Sequence, residues 1–204
     1  MEYIASIITA IGVIIMAWFK RDQRRYDQMT ELKIEKWKAE EEQKSTRRSD
    51  NIAKIYGVMW QLLHELVADR VYILQPHPLN DSQFVSISLE VKRNGIAPMK
   101  TCIQNMPMAD IAAFVADLAN RDLMFYKSVP DEVKDKRARA LMMTNGGVSA
   151  IVKRLSDDEH DWIGSLFLEF THTMDCEPAF TRKALSDAAN GIQFILPEIK
   201  CKRQ

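Results

Sequence analysis

Catalytic signatures are the first thing this 204-residue sequence lacks. It has no hydrolase nucleophile elbow, no Walker loop, no dinucleotide fingerprint, no HExxH and no paired-cysteine zinc motif. An active site assembled from dispersed residues stays open, but no constellation points to one, so no catalytic residue is expected. Cysteine is scarce as well: Cys102, Cys176 and Cys201 are odd in number and widely spaced. They make no disulfide framework and point to a reducing compartment. Net charge is absent, because 28 Lys and Arg balance 28 Asp and Glu. A neutral chain argues against a surface built for nucleic acid, which is not expected as a partner. His64, His77, His160 and His172 form no ligand set, and His172 with Cys176 is one close pair where a structural zinc needs four ligands. Asp157, Asp158, Glu159 and Asp161 lack the glycine and spacing of a calcium loop and read as a solvated turn. No metal site is expected.

The zero charge is a sum over unlike parts. From Tyr3 to Phe19 no residue is charged, and about 17 helical residues span roughly 26 Å, a little short of a hydrocarbon core. Tyr3 and Trp18 at the interfaces, with Lys20 and Arg21 snorkelling, cover the deficit. A cleaved secretory signal wants a basic start and a small-x-small site, whereas Glu2 leads here and Ala-Trp-Phe-Lys-Arg follows. A buried core helix is the other reading, although an extreme N-terminus followed by Lys20, Arg21, Arg24 and Arg25 is an odd place for one. The expectation is a transmembrane anchor over residues 1–19. Because the basic cluster follows it, the positive-inside bias leaves the N-terminus outside an inner membrane and the remainder in the cytoplasm, with lipid as a partner.

Residues 20–48 are a charged stalk without glycine or proline, more than half of it Lys, Arg, Asp and Glu. Mixed i,i+3 and i,i+4 charges predict a solvated helix. Tyr26, Met29, Ile34 and Trp37 leave an apolar trace whose steps are not a sustained heptad, so a coiled coil and a lone helix are both open. Ser45, Thr46 and Ser49 supply N-cap candidates, which places the junction with a domain of residues 49–204 there.

Ile52, Ile55, Tyr56, Met59, Leu62, Leu63 and Leu66 then follow one helical face. Arg70 opens a short strand stopped by Pro76 and Pro78; Asn80-Asp81-Ser82 turns the chain into a strand carrying Phe84, Ile87, Leu89 and Val91. Met99 to Met106 suggests a third strand. Pro107 opens a helix through Ala119, Leu123–Tyr126 is a brief strand, and Asp131–Met143 a charged helix. Strands over Val148–Leu155 and Trp162–Thr171 and a helix from Pro178 to about Ile195 close the chain. This order predicts an α+β domain with an antiparallel sheet flanked by helices.

The run Asn145-Gly146-Gly147-Val148-Ser149-Ala150-Ile151-Val152-Lys153-Arg154-Leu155, followed by Trp162-Ile163-Gly164-Ser165-Leu166-Phe167-Leu168-Glu169-Phe170, resembles GAF domains, as does Arg70-Val71-Tyr72-Ile73 after the amphipathic helix. PAS-like and profilin-like sheets are alternatives. The resemblance implies a sheet with the terminal helices on one side and a small-molecule pocket on the other. On this chain it implies pocket residues Cys102, Asn105, Met106, Asp110, Phe114, Tyr126, Asn145 and Ser149, with no cofactor named. Cys102 and the methionines nearby are equally readable as packing.

Two functions compete. One is a single-pass, membrane-anchored cytoplasmic sensory or interaction module that is not catalytic and signals to a partner or another copy through a GAF-like domain. The other is a structural membrane protein, of phage or mobile-element type, whose degenerate GAF-like domain serves assembly.

Overall fold

The computed structural model describes the backbone of residues 2–78 and 83–199, and side chains from Lys33 onward within those ranges. The chain divides into two compact units, Met1–Ser49 and Asp50–Gln204. One helix, α1 (Glu2–Glu65), runs through the boundary. With no glycine or proline between residues 20 and 50, nothing in the sequence interrupts it. The expected cap at Thr46 does not form, because its hydroxyl donates back to the Glu42 carbonyl at 3.0 Å inside the helix. In the first unit every described side chain is exposed, Ile34 and Trp37 included. The anchor residues Tyr3, Trp18, Lys20, Arg21, Arg24 and Arg25 lie outside the described side chains. Among the described residues no helix is long and apolar enough to cross a membrane.

The second unit is built on a six-stranded antiparallel sheet of β1 (Arg70–His77), β2 (Phe84–Lys92), β3 (Met106–Pro107), β4 (Leu123–Tyr126), β5 (Ser149–Ser156) and β6 (Trp162–Phe170), ordered β3-β2-β1-β6-β5-β4. The two hairpins β1–β2 and β5–β6 meet where β1 pairs with β6, Arg70 opposite Glu169 and Tyr72 opposite Phe167. Alternation assigns each strand's side chains to two faces. Val71, Ile73, Ile151, Leu166, Leu168 and Phe170 point to one core, shared with Ile55, Met59 and Leu63 of α1 and with Leu185 and Ile192 of α5 (Pro178–Ile192). Tyr72, Leu74, Val85, Ile87, Val152 and Phe167 point to the other. That second core is covered by a single 3-10 turn (Met108–Ile111), α2 (Ala112–Asn120), α3 (Val129–Glu132) and α4 (Lys136–Thr144).

Several expectations shift for physical reasons. Val85, Ile87, Leu89 and Val91 would all face one way in a regular strand, but Leu89 and Val91 join the helix-side core and Val85 and Ile87 the other. The register skips Ser88, since Ile73 pairs with Leu89 and Leu74 with Ile87, so a bulge reverses the face. Pro76 does not stop β1. Pairing with β6 ends at Leu74, leaving β1 with β2 alone at Pro76, an edge position that tolerates proline. The charged helix expected over Asp131–Met143 is two helices, because Asp135 caps α4 by accepting from the N–H groups of Arg137 and Ala138, both at 3.0 Å. The expected turn at Asn80-Asp81-Ser82 falls on residues outside those described.

Gly164 in β6 answers to close approach: a Cβ there would sit 2.9 Å from the Leu74 carbonyl oxygen on the neighbouring strand.

Candidate functional site

The sheet face opposite α1 and α5 has a polar end and an apolar end. The polar end comes from Arg70 and Tyr72 on β1, Glu90 on β2 and Glu169 on β6; Arg70, Tyr72 and Glu169 are each at most 2% exposed. Such burial of charge is tolerated only with complete pairing. Arg70 Nε donates to Glu169 Oε2 at 2.9 Å and Nη2 to the same oxygen, while the Tyr72 hydroxyl donates to Oε1 at 2.6 Å. Arg70 also donates to the carbonyls of Ala97 and Asn145. Burial pushes the Glu169 carboxyl up against the pull of Arg70, and Glu169 in turn holds the guanidinium charged against its own desolvation. Tyr72 is pushed well up by burial and by the adjacent carboxylate, so it stays a protonated donor. The charge-assisted bonds between Arg70 and Glu169 are turned inward, to each other.

The apolar end encloses a cavity of about 20 Å³, bounded among others by Leu74, Ile103, Met106, Phe114, Met142 and Phe167. Ring stacking of Tyr72 on Phe167, centroids 4.7 Å apart, forms its floor. That volume holds about one water molecule, whereas ligand pockets run to hundreds of cubic ångströms.

Of the eight residues expected at the pocket, Met106 and Phe114 bound this cavity. Tyr126 is buried in the same core, its hydroxyl donating to Met124 Sδ at 3.2 Å. Asn145 bridges, its amide donating to the Leu141 carbonyl at 3.0 Å and to Met99 Sδ at 3.3 Å. Ser149 is fully buried but faces elsewhere, donating to the His172 carbonyl at 2.8 Å and accepting from the Met174 N–H at 2.9 Å. Asp110 is exposed and paired with Arg137 at 3.0 Å. Asn105 is exposed, in left-handed backbone (φ 50°), its N–H donating to Ser86 Oγ at 2.7 Å.

Cys102 is exposed, and the middle strand expected to carry it is not one. Met99–Ile103 form a single helical turn instead, closed by bonds from Cys102 N–H and Ile103 N–H to the Met99 carbonyl. Glu90 stabilises the start of that turn, accepting from Met99 N–H at 2.6 Å and Lys100 N–H at 3.1 Å. Sequence reasoning missed Arg70, Glu90 and Glu169 as a group. Their signal was a charge placed among strand residues otherwise apolar, which means little until the register sets Arg70 opposite Glu169 and Tyr72 opposite Glu90.

On the opposite side of the unit a groove of about 320 Å³ lies between residues 58–65 of α1 and α5, with Val58, Leu62 and Ala184 in its wall and Phe180 half exposed at its edge. Among the described residues no group of three His, Cys, Asp or Glu is placed to hold a metal.

No family model matches the sequence, and no curated protein matches it. Solved structures do. The blue-light absorbing form of the PixJ GAF domain of Thermosynechococcus elongatus superposes with a TM-score of 0.61 at 12% identity, covering 74% of this chain and 87% of that one. A GAF domain of Synechocystis sp. in its photoproduct state matches at 0.58 and 15% identity, over 70% of this chain and 90% of the other. The phycoerythrobilin-bound GAF domain of a cyanobacterial phytochrome matches at 0.54 and 13% identity, over 74% and 93%. At such identities the likeness speaks for the fold: the sheet and flanking helices of this chain have the GAF-domain fold.

Proposed function

We propose that this chain is a sensory or interaction module that works by binding rather than by turnover, its GAF-fold domain held at the cytoplasmic face of a membrane by residues 1–19. The observation that carries the reading is the face opposite α1 and α5. There a small cavity is bounded by methionine, isoleucine and phenylalanine side chains, and Arg70 and Glu169 beside it are committed to one another. Methionine adapts its shape readily, so this end of the core is the part of the domain best able to repack around a guest. One structural neighbour is described with bound phycoerythrobilin. A tetrapyrrole does not fit a cavity of about 20 Å³, so a ligand of that size enters only with rearrangement. Binding would shift the sheet against α1, the helix that leads back towards the anchor. Thermal-shift screening of the full-length protein against small-molecule extracts tests this: a reproducible rise traced by mass spectrometry to one unmodified compound is the expected result. Absence of any shift, with the cavity still closed, counts against it.

A second reading, an assembly protein that uses the domain for contacts alone, is favoured by the small size of the cavity together with the open groove edged by Phe180. A large oligomer in detergent, indifferent to small molecules, would decide for it.

A further inference from the structure

Ile103 brings the loop between β2 and β3 into the wall of the cavity. The segment between β2 and β3, residues 93–105, leaves the sheet edge and returns across the face opposite α1 and α5, placing Met99 (0% exposed) and Ile103 (8%) in its core. Around those two side chains the segment is exposed: Ala97, Pro98, Thr101 and Cys102 all face solvent. A stretch with two buried anchors and no regular structure beyond one helical turn belongs to the low-stability end of a fold. It is held down by scattered polar bonds rather than by a continuous ladder, one of them from Ile87 N–H of β2 to the Ile103 carbonyl at 3.0 Å. Glu90 takes the N–H groups of Met99 and Lys100, Lys100 Nζ donates to the Ser88 carbonyl at 2.6 Å, Arg70 donates to the Ala97 carbonyl, and Asn145 reaches Met99 Sδ. Glu90 stands out among these contacts. It is only partly buried and spends both carboxylate oxygens on successive amides of the segment.

We infer that residues 93–105 are a displaceable plug, an autoinhibitory contact that fills the binding face with Met99 and Ile103, and that Glu90 is its latch. The inference rests on the reading of this face as the binding face. The guest it admits is small and apolar, since the withdrawn side chains leave a site walled by Leu74, Phe114, Met142 and Phe167. The Glu90 carboxylate is then freed from two amides, and Arg70 from the Ala97 carbonyl.

Glu90→Ala in the full-length chain tests the latch. Hydrogen exchange read by mass spectrometry should accelerate about tenfold or more across residues 96–103, while β1, β5 and β6 keep their protection. The plug is tested by toluene binding, followed through the methyl signals of Met99, Met106 and Met142. Apparent affinity scales with the open fraction, so it should strengthen by the same factor as the exchange rates while that fraction remains small. Lys100→Ala removes only the bond to Ser88 and should move both readouts in the same direction by a smaller factor, which keeps the test usable if Glu90→Ala folds poorly. Unchanged exchange in both variants overturns the latch; faster exchange with unchanged toluene affinity overturns the plug. A natural ligand that binds the parent while exchange across 96–103 stays slow would refute the plug yet leave the binding function standing. A plug that opens as described in a protein that responds to no small molecule would do the reverse.

Discussion

Glu169 shows what a single residue contributes here. Its carboxylate is 1% exposed and is shared between a guanidinium and a phenol from the adjacent strand. Truncating it leaves Arg70 charged and buried, so Glu169→Ala should lower unfolding free energy in urea by about 3–5 kcal/mol, whereas Tyr72→Phe, which removes one donor, should cost about 1–3 kcal/mol. A smaller loss for Glu169→Ala would mean that water reaches the cluster. His77 acts through pH. Its buried ring lies 2.8 Å from Ser86 Oγ, and burial lowers it from its ordinary value of 6.5. The unfolded chain therefore takes up a proton near pH 6.5 that the folded chain refuses, so stability is full above that value and falls as pH drops through the folded value. Comparing melting temperatures between about pH 7.5 and about pH 5.5 should show a steeper acid loss in the parent than in His77→Asn; equal slopes would contradict it.

Elements were readable to different depths. Helix-side packing of α1 and α5 was legible because Ile55, Met59, Leu62 and Leu66 repeat at helical spacing, and β5 and β6 were legible from dense β-branched and apolar runs bounded by glycine and an acidic turn. The segment 93–105 was not. Met99, Ile103 and Met106 look like strand alternation with breaks, but Met99–Ile103 form a turn set by Glu90, which sits on another element. The bulge at Ser88 was equally hidden, since a skipped residue leaves no local mark. It makes a specific prediction. Deleting Ser88 removes the extra residue and leaves Val85 and Ile87 on one face and Leu89 and Val91 on the other. The variant should fold with a loss of about 1–2 kcal/mol, for the carbonyl that takes Lys100 Nζ and the hydroxyl bonded to Ile73. Deleting Ser86 instead turns Val85 off its face and should cost more, by about 1.5–3 kcal/mol for that side chain. Equal losses in the two deletions would show that the bulge does not set the faces.

At the scale of the whole chain, the GAF-type fold was legible from the glycine-led hairpin and the strand after the amphipathic helix, but the candidate site was so only in part. Met106 and Phe114 bound the cavity; Ser149 and Asp110 serve local structure. Pocket membership depends on which strand face a residue takes and on which loop crosses it, and neither is written in residue type. The anchor is a claim about residues 1–19 and is tested on membranes: the full chain should resist alkaline extraction, and a chain lacking residues 1–19 should be released. Release of the full chain at high pH would contradict single-pass insertion.

Action by binding, as proposed above, would fall on the face bounded by Phe114, Phe167 and the plug. Hydrogen exchange of the full chain, with and without small-molecule extract of its own cells, reads out binding there. The expected result is slowed or accelerated exchange confined to residues 93–111 and the facing strands β1 and β6, with the bound compound recovered unchanged. Recovery of a chemically converted compound in catalytic excess over protein, or a response confined to α1 and α5 with residues 93–111 silent, would contradict it.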